Sequence, residues 1–310
     1  MRADHPTLQD AIRPTTLIRS SKLIDHLGLD ITIASETFQH TGSFKFRAAY
    51  NVVLNNENTE FIGVSSGNFG QALAYACKLL DRKCTVIMPH NSAQVKVDAV
   101  RAFGATADLI DVSVVSRAER LAQLSAERPD AYLASAYDDQ FVIDGNSTLG
   151  DELAKHDFDT VIVPVGGGGL ISGIIQSFCR LGKLTQVVGA EPLIANDAAR
   201  SLRAGQLIAN DFEPQTIADG TRTLSLGKVN WPIVRDGIRE IVEVSEANIK
   251  SALKLYFGLA NLKCEPTGAL PLGAILEDPG HFAGTKVCVI VSGGNVDPTV
   301  YAKVLSEPPA

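Results

Sequence analysis

Residues 160–170 read TVIVPVGGGGL, an apolar β-branched run followed at once by four glycines and the start of a helical pattern. The run is almost continuously apolar, as expected for a strand that helices cover on both faces. Pro164 and the glycines interrupt the apolar stretch 161–178, which therefore predicts a strand, a turn and a helix rather than a membrane span. A strand that leads directly into a helix is the unit from which parallel α/β sheets are built.

Runs of the same kind recur on both sides of this stretch and alternate with helical patterns, for example at 68–80 and 93–103. They read 31-ITIAS, 61-FIGVSS, 84-CTVIMP, 106-TADLIDV, 186-QVVGAE and 286-KVCVIVSGG. The alternation predicts a doubly wound α/β fold with parallel sheets. Ligands of such sheets bind beyond the carboxyl ends of the strands, so we expect the chemistry in the turns that follow residues 61–66, 160–166 and 286–291.

Length and composition narrow the class of protein. A chain of 310 residues is longer than the roughly 100–200 residues of a typical domain, and without a linker we expect two interlocked domains. The net charge of −7 argues against a nucleic-acid surface, which needs clustered Lys and Arg. The five cysteines are scattered without a Cys-x-x-Cys pair, so neither disulfides nor zinc are expected. The N-terminal stretch lacks the pattern of a signal peptide, and we expect a cytoplasmic protein that binds neither membrane nor nucleic acid.

A lysine flanked by aromatic residues is the first candidate for chemistry. In 42-GSFKFRAAYN, Lys45 lies between Phe44 and Phe46. Desolvation lowers the pKa of an amine and makes its neutral form nucleophilic toward an aldehyde. Taken alone, the pattern also fits a surface lysine whose stem covers apolar area at a helix end.

Two turns could bind anionic groups, and a third turn also follows a buried strand. The glycines 166–169 would leave backbone N–H groups open to a phosphate at a helix N-terminus, although they form neither a Walker loop nor a spaced GxGxxG motif. In 65-SSGNFGQA, Ser66 and Asn68 can cap a helix and expose donors to a carboxylate. The turn 292-SGGN ends another strand. Each of these motifs by itself is also explained as a tight turn or a helix cap.

The order of the four motifs is more specific than any of them. GSFKFRAA, SSGNFGQA, GGGGL and SGGN follow one another as in fold-type II pyridoxal phosphate enzymes, and the chain resembles their threonine/serine dehydratase and serine racemase family. The segments 214-PQTIADG, 230-NWPIVRDGI and 265-EPTGA are similar to the serine racemase branch. The resemblance implies the two-domain fold of the tryptophan synthase β-subunit class. A large cofactor-binding domain would comprise residues 1–50 and 138–310, and a small substrate-binding domain residues 51–137.

The resemblance also implies roles for individual residues. Lys45 would hold pyridoxal phosphate as a Schiff base and act as the general base. The other cofactor contacts would be Phe44 on the ring, Asn68 on the phenolic oxygen, Gly166, Gly167, Gly168 and Gly169 on the phosphate, and Ser292 on the pyridine nitrogen. The substrate carboxylate would bind to Ser65, Ser66, Gly67 and Asn68, and Ser66 matches the serine that exchanges the α-proton in racemising members.

The implied function is a lyase that converts a small β-hydroxy amino acid to a 2-oxo acid and ammonia. Serine, threonine, 3-hydroxyaspartate and phenylserine are candidate substrates. A hydroxyl at Ser292 does not hold the pyridine nitrogen protonated, which favours elimination or racemisation over transamination. The alternatives are a racemase of the serine racemase type, a β-replacement synthase and a non-catalytic binding protein.

The chain departs from the family pattern at several positions. Phe69 replaces a common histidine after the Ser-Gly-Asn turn, and Asp144, Asn146 and Ser147 replace residues of an Ala-Gly-Gln-Gly-Thr segment. We expect these changes to reshape the pocket for the substrate side chain. A second substrate carboxylate would need a cation, for which Arg47 and Arg222 are candidates.

A divalent cation and a homodimer complete the expectations from the resemblance. In 190-AEPLIAND, Glu191, Asp197 and the carbonyl of Ala195 resemble a magnesium or calcium site of the family, and such hard cations prefer oxygen ligands. The two acids also fit a plain solvated loop.

Overall fold

A computed structural model describes residues 5–65, 67–92 and 94–308. Its strands are β1 (Thr16–Ile18), β2 (Asp30–Ser35), β3 (Glu60–Val64), β4 (Lys83–Pro89), β5 (Thr106–Ile110), β6 (Tyr132–Ala134), β7 (Thr160–Pro164), β8 (Gln186–Pro192), β9 (Glu240–Val244) and β10 (Lys286–Val291). Its α-helices are α1 (Leu8–Ala11), α2 (Ser21–Leu27), α3 (Lys45–Leu54), α4 (Asn68–Leu79), α5 (Gln94–Ala102), α6 (Arg117–Glu127), α7 (Gln140–Leu153), α8 (Gly169–Arg180), α9 (Asp197–Ala204), α10 (Asn230–Gly237), α11 (Glu246–Ala260), α12 (Pro266–Glu277) and α13 (Pro298–Ser306). Short 3-10 helices cover His40–Gly42, Leu193–Ala195, Asp219–Thr221 and Pro279–Phe282.

The strands form two sheets. The larger has the order β1-β2-β10-β7-β8-β9 and the smaller the order β5-β4-β3-β6. Neighbouring strands run parallel, except that β1 pairs antiparallel with β2. The predicted doubly wound α/β fold is therefore confirmed.

All seven predicted runs are strands, and the structure has three further strands, β1, β6 and β9, that were not predicted. β1 and β6 have three residues each, too few to show a pattern, and most of β9 is only half-buried. An edge strand of this kind lacks the continuous apolar run that marks a strand covered on both faces.

The chain passes from the larger sheet to the smaller and back. The strands of the smaller sheet all lie between residues 60 and 134, and those of the larger lie on both sides of this segment. The boundaries at 50/51 and 137/138 remain a prediction, and the first of them falls inside α3. Since α3 packs against both α4 and α7, it joins the helices around the two sheets.

The described residues contain no helix that is both long enough and apolar enough to cross a membrane. All five cysteines are free.

A buried ion-pair network ties the N-terminal segment to α3 and α7. The side chain of Arg47 is fully buried, and its Nε and Nη2 donate to the two carboxylate oxygens of Glu36 at 2.8 and 2.9 Å. Nη1 donates to Glu152 at 2.7 Å, and Nη2 also donates to the hydroxyl of Thr15 at 2.9 Å. The glycine at 145 allows the close approach of α7, because a Cβ there would lie 2.5 Å from the carbonyl oxygen of Arg47.

We expect Arg47→Ala to lower the free energy of unfolding by about 3–5 kcal/mol, because the buried carboxylate of Glu36 would lose its counter-charge. Urea unfolding measures the change. Arg19→Ala is the control, since Arg19 pairs with Asp30 at an exposed site where a loss of about 0–1 kcal/mol is typical. Equal losses in the two variants would contradict the importance of the buried network.

Candidate active site

A cavity of about 1160 Å³ lies at the carboxyl ends of strands from both sheets. Residues at the ends of β3, β4 and β6 line one side, and residues after β7 and β10 line the other. Parallel strands gather their ligand-binding turns at this edge. The cavity brings together Phe44, Lys45, Ser65, Gly67, Asn68, Gly166, Gly167, Gly168, Gly169 and Ser292. Ser66 lies outside the residues that the structure describes.

Lys45 is the first residue of α3 and extends into the cavity. Its Nζ donates to the carbonyl oxygen of Ala136 at 2.7 Å and lies 5.0 Å from the ring centroid of Phe44 and 5.9 Å from that of Phe69. Burial lowers the pKa of Lys45 to about 8, although the carboxylate of Glu265 partly opposes the shift. About a tenth of the amine is thus neutral at pH 7, far more than for an exposed lysine.

The four glycines connect β7 to α8. Gly168 has a φ of 90°, which favours glycine, and its carbonyl accepts from Ser172 within α8. A Cβ on Gly167 would lie 2.2 Å from the ring of Tyr137. Because the first N–H groups of a helix have no intrahelical acceptor, the start of α8 offers donors to an anion in the cavity.

Ser292 follows β10 and is fully buried. Its Oγ has no hydrogen-bond partner among the described residues. The backbone around it holds the start of α3, because the N–H of Phe44 donates to the carbonyl oxygen of Ser292 at 3.0 Å. The unpartnered hydroxyl can therefore bond a polar ring atom of a ligand that fills this part of the cavity.

The turn between β3 and α4 lies on the other side of the cavity from the glycine turn and Ser292. The N–H of Gly67 donates to the Oγ of Ser65 at 3.2 Å, and Asn68 is the first residue of α4. A helix N-terminus with open donors suits a carboxylate.

The two cavity residues that bind the side chain of Asn68 were not assigned from the sequence. Glu265 precedes α12 and accepts from Nδ2 of Asn68, which lies 2.9 Å from each of its carboxylate oxygens. Asn295 donates through Nδ2 to Oδ1 of Asn68 at 2.8 Å and to the carbonyl oxygen of Thr41 at 2.7 Å. The segments 265-EPTGA and 292-SGGN were noticed, but nothing local indicates that they meet at Asn68.

Cations line the mouth of the cavity. Lys96 on α5 lies 3.5 Å from Asp219, and Arg117 on α6 lies 3.9 Å from Glu213. Arg222 also lines the cavity, where its Nε and Nη2 donate to the carbonyl oxygen of Thr216 at 2.9 and 2.6 Å.

Several predictions about the substrate side chain are wrong. Arg47 does not line the cavity, because its guanidinium is buried against Glu36 and Glu152. Asp144, Asn146 and Ser147 also lie away from the cavity. They belong to α7, which packs on α3 and α8. Phe69, in contrast, lines the cavity as expected.

The predicted cation ligands lie near one another but outside this cavity. Glu191 is buried and accepts from the N–H groups of Ala198 and Ala199 at 3.2 and 2.7 Å. Asp197 is buried, its Oδ1 accepts from Asn210 at 2.8 Å, and its Oδ2 has no partner among the described residues. Burial raises the pKa of Glu191 to about 8 and that of Asp197 to about 7. Within the described ranges, no group of three or more His, Cys, Asp or Glu side chains could hold a metal ion.

Comparison with known proteins identifies relatives along nearly the whole chain. The family described as pyridoxal-phosphate dependent enzyme matches residues 8–293. The chain is 38% identical over 303 residues to a β-hydroxyaspartate dehydratase from Paracoccus denitrificans. The aligned region covers 96% of this chain and 95% of that protein. It is 35% identical to a serine racemase from Mus musculus, over 95% of this chain and 90% of the racemase. The solved structure of a T.th. threonine deaminase has a TM-score of 0.84 and 38% identity, with 92% of both chains covered.

Proposed function

The chain belongs to the family of pyridoxal-phosphate dependent enzymes, and from this premise we propose that it is an ammonia-lyase that dehydrates 3-hydroxyaspartate. The observation that carries the proposal is a lysine amine of lowered pKa that shares one cavity with a glycine cradle and two loosely paired cations, Lys96 and Arg117. The similarity to a β-hydroxyaspartate dehydratase supports the choice among the candidate substrates.

The cavity fits pyridoxal phosphate. Gly166–Gly169 line the cavity at the N-terminus of α8, where open backbone N–H groups suit a phosphate, and the unpartnered hydroxyl of Ser292 suits a pyridine nitrogen. We propose that these groups, the ring of Phe44 and the amide of Asn68 hold the cofactor. When bound, pyridoxal phosphate supplies an aldehyde for amines and a conjugated ring that withdraws electrons from the substrate Cα.

The roles of the protein side chains follow from their surroundings. The amine of Lys45, with its lowered pKa, takes the proton from the substrate Cα as general base. The turn at Ser65, Gly67 and Asn68 binds the α-carboxylate at the N-terminus of α4 and so orients the Cα–H bond. The apolar rings of Phe44 and Phe69 keep water from the amine.

We propose that the second carboxylate of 3-hydroxyaspartate binds to the cationic side chains at the mouth of the cavity. Arg117 is the best candidate, because its 3.9 Å contact with Glu213 is the loosest pairing there and its planar guanidinium can bind a carboxylate through two N–H groups. Lys96 can support it with a second positive charge, since its own pairing with Asp219 is 3.5 Å long.

Racemisation is the second candidate function, favoured by the 35% identity to a serine racemase. Its key residue in this chain would be Ser66, whose role remains a prediction. Circular dichroism or chiral chromatography of the remaining amino acid separates stereoinversion from release of a 2-oxo acid.

We expect the rate at which pyridoxal phosphate attaches to the cofactor-free protein to rise with pH and level off above about 8, because only the neutral amine of Lys45 attacks an aldehyde. Stopped-flow absorbance of the conjugated imine at about 410 nm measures this rate. Lys45→Ala should give no band at any pH, whereas Lys78→Ala, on the outer part of α4, should behave as the unmodified protein. A full band in Lys45→Ala would reject the assignment.

We expect Arg117→Leu to raise KM for 3-hydroxyaspartate about 10- to 100-fold, because a charge-assisted hydrogen bond contributes about 1.5–3 kcal/mol. Release of 2-oxo acid from a panel of 3-hydroxyaspartate, serine, threonine and phenylserine measures the effect. Turnover of the monocarboxylic substrates should change by less than about two-fold, since they lack the second carboxylate. Arg120→Leu on the same helix is the matched control, because Arg120 pairs with Asp108 and does not line the cavity. Equal losses on every substrate would argue against specificity at Arg117.

We also propose a magnesium or calcium ion at Glu191, Asp197 and the carbonyl of Ala195. Two neighbouring buried carboxylates and the unpartnered Oδ2 of Asp197 support the proposal, since a divalent cation would satisfy both. Added cation should raise the Tm of chelator-treated protein. At a cation concentration of one hundred times Kd, the free energy of unfolding should rise by about 2.7 kcal/mol. Glu191→Gln should abolish that gain, and an unchanged gain in this variant would place the cation elsewhere.

A homodimer in the cytoplasm completes the proposal and rests on the resemblance to the family. Light scattering tests the dimer, and a mass near the 33.0 kDa of one chain would reject it. Cell fractionation tests the compartment.

A further inference from the structure

The carboxamide of Asn68 is held from two sides. Its Nδ2 lies 2.9 Å from both carboxylate oxygens of Glu265, and its Oδ1 accepts from Asn295 at 2.8 Å. A donor on one side and an acceptor on the other allow only one orientation of the amide. Asn295 is itself anchored, because its Nδ2 also donates to the carbonyl oxygen of Thr41.

Asn68, Glu265 and Asn295 form a hydrogen-bonded clamp that joins three distant parts of the chain at the cavity. Asn68 begins α4, Glu265 precedes α12, and Asn295 lies in the turn after β10. All three residues line the same cavity as Lys45. Glu265 is almost fully buried, so its charge is poorly screened by water.

We propose that Glu265 and Asn295 are positioning residues that point the NH2 group of Asn68 toward the cofactor, and that a proton on Glu265 loosens this hold. One N–H of the amide serves the carboxylate and the other remains for the phenolic oxygen of pyridoxal phosphate. The inference rests on the proposed function because it requires this cofactor in the cavity. It goes beyond that function by assigning a positioning role to Glu265 and Asn295, neither of which needs to contact the reacting atoms.

Burial, and to a smaller extent the surrounding charges, set the pH at which Glu265 takes up a proton. Lys45 on α3 and Lys96 on α5 favour its ionised form, as does the hydrogen bond from Asn68 on α4, while Asp219 opposes it. Burial is the largest influence and raises the pKa of Glu265 to about 7. The carboxylate, which accepts stronger hydrogen bonds than the neutral acid, is therefore lost as pH falls through about 7.

The test is binding of pyridoxal phosphate to cofactor-free protein by equilibrium dialysis, on both sides of pH 7. The unmodified protein should bind more weakly as pH falls through about 7. Glu265→Gln should bind about ten-fold more weakly above this pH, since an uncharged acceptor forms weaker hydrogen bonds. It should also lose the part of the pH dependence centred at about 7 and keep the part at about 8 that follows from the amine of Lys45. Glu277→Gln, at the far end of the same α12, is the matched control and should leave affinity and pH dependence unchanged.

A double-mutant cycle separates positioning from a general structural effect. In an Asn68→Ala background, Glu265→Gln should change the affinity by less than about two-fold, because no amide remains to be oriented. Asn295→Ser should also weaken binding about ten-fold alone and lose its effect in that background, which keeps the test open if the Gln variant does not fold.

Unaltered affinity and pH dependence in Glu265→Gln would overturn the inference, and so would an undiminished effect without the Asn68 amide. Dialysis contains no amino acid, so the outcome does not depend on the substrate. A protein that binds pyridoxal phosphate as described but releases no 2-oxo acid would reject the lyase and leave the clamp intact.

Discussion

A primary amine that stays partly neutral near physiological pH is the constraint on which the site depends. An exposed lysine would be almost fully protonated, because its pKa lies near about 10.4. Packing between Phe44 and Phe69 removes Lys45 from water, while the carbonyl of Ala136 keeps its Nζ hydrogen-bonded. Glu265 limits the loss of charge, so burial and a nearby carboxylate together set the reactivity of the amine.

Besides a reactive amine, the site needs groups that bind anions, and turns after strands of the two sheets supply them. The glycine turn after β7 and the turn after β3 each start a helix, and both helices direct their N-termini to the cavity. Helix N-termini stabilise negative charge without using lysine or arginine side chains. The amine at position 45 therefore lies among backbone donors rather than among competing cations, and the cationic side chains are left to the mouth.

Much of the fold was predictable because its signals are local. The apolar runs at 160–164 and 286–291 identify buried strands by their own composition, and all seven predicted runs are strands. The short β1 and β6 and the half-buried β9 carry no such signal.

The site was only partly predictable. The turns that hold Lys45, Asn68, the glycines and Ser292 were found, since each follows a recognisable strand or begins a helix. Glu265 and Asn295 were missed because their partner is far away along the chain: Glu265 and Asn68 are 197 positions apart.

By itself the sequence determined the α/β class, the order of the motifs and the chemical groups available for a cofactor, because strand and helix patterns and turn residues act over a few neighbouring positions. Only the tertiary structure decided which of these groups face each other. It assigned Arg47 to a buried network and directed Asp144, Asn146 and Ser147 away from the cavity, while it brought Arg117, Lys96 and Glu265 to it. The physical reason is that the direction of a side chain depends on how helices and sheets pack across long separations in the chain, and no short stretch of residues carries that information.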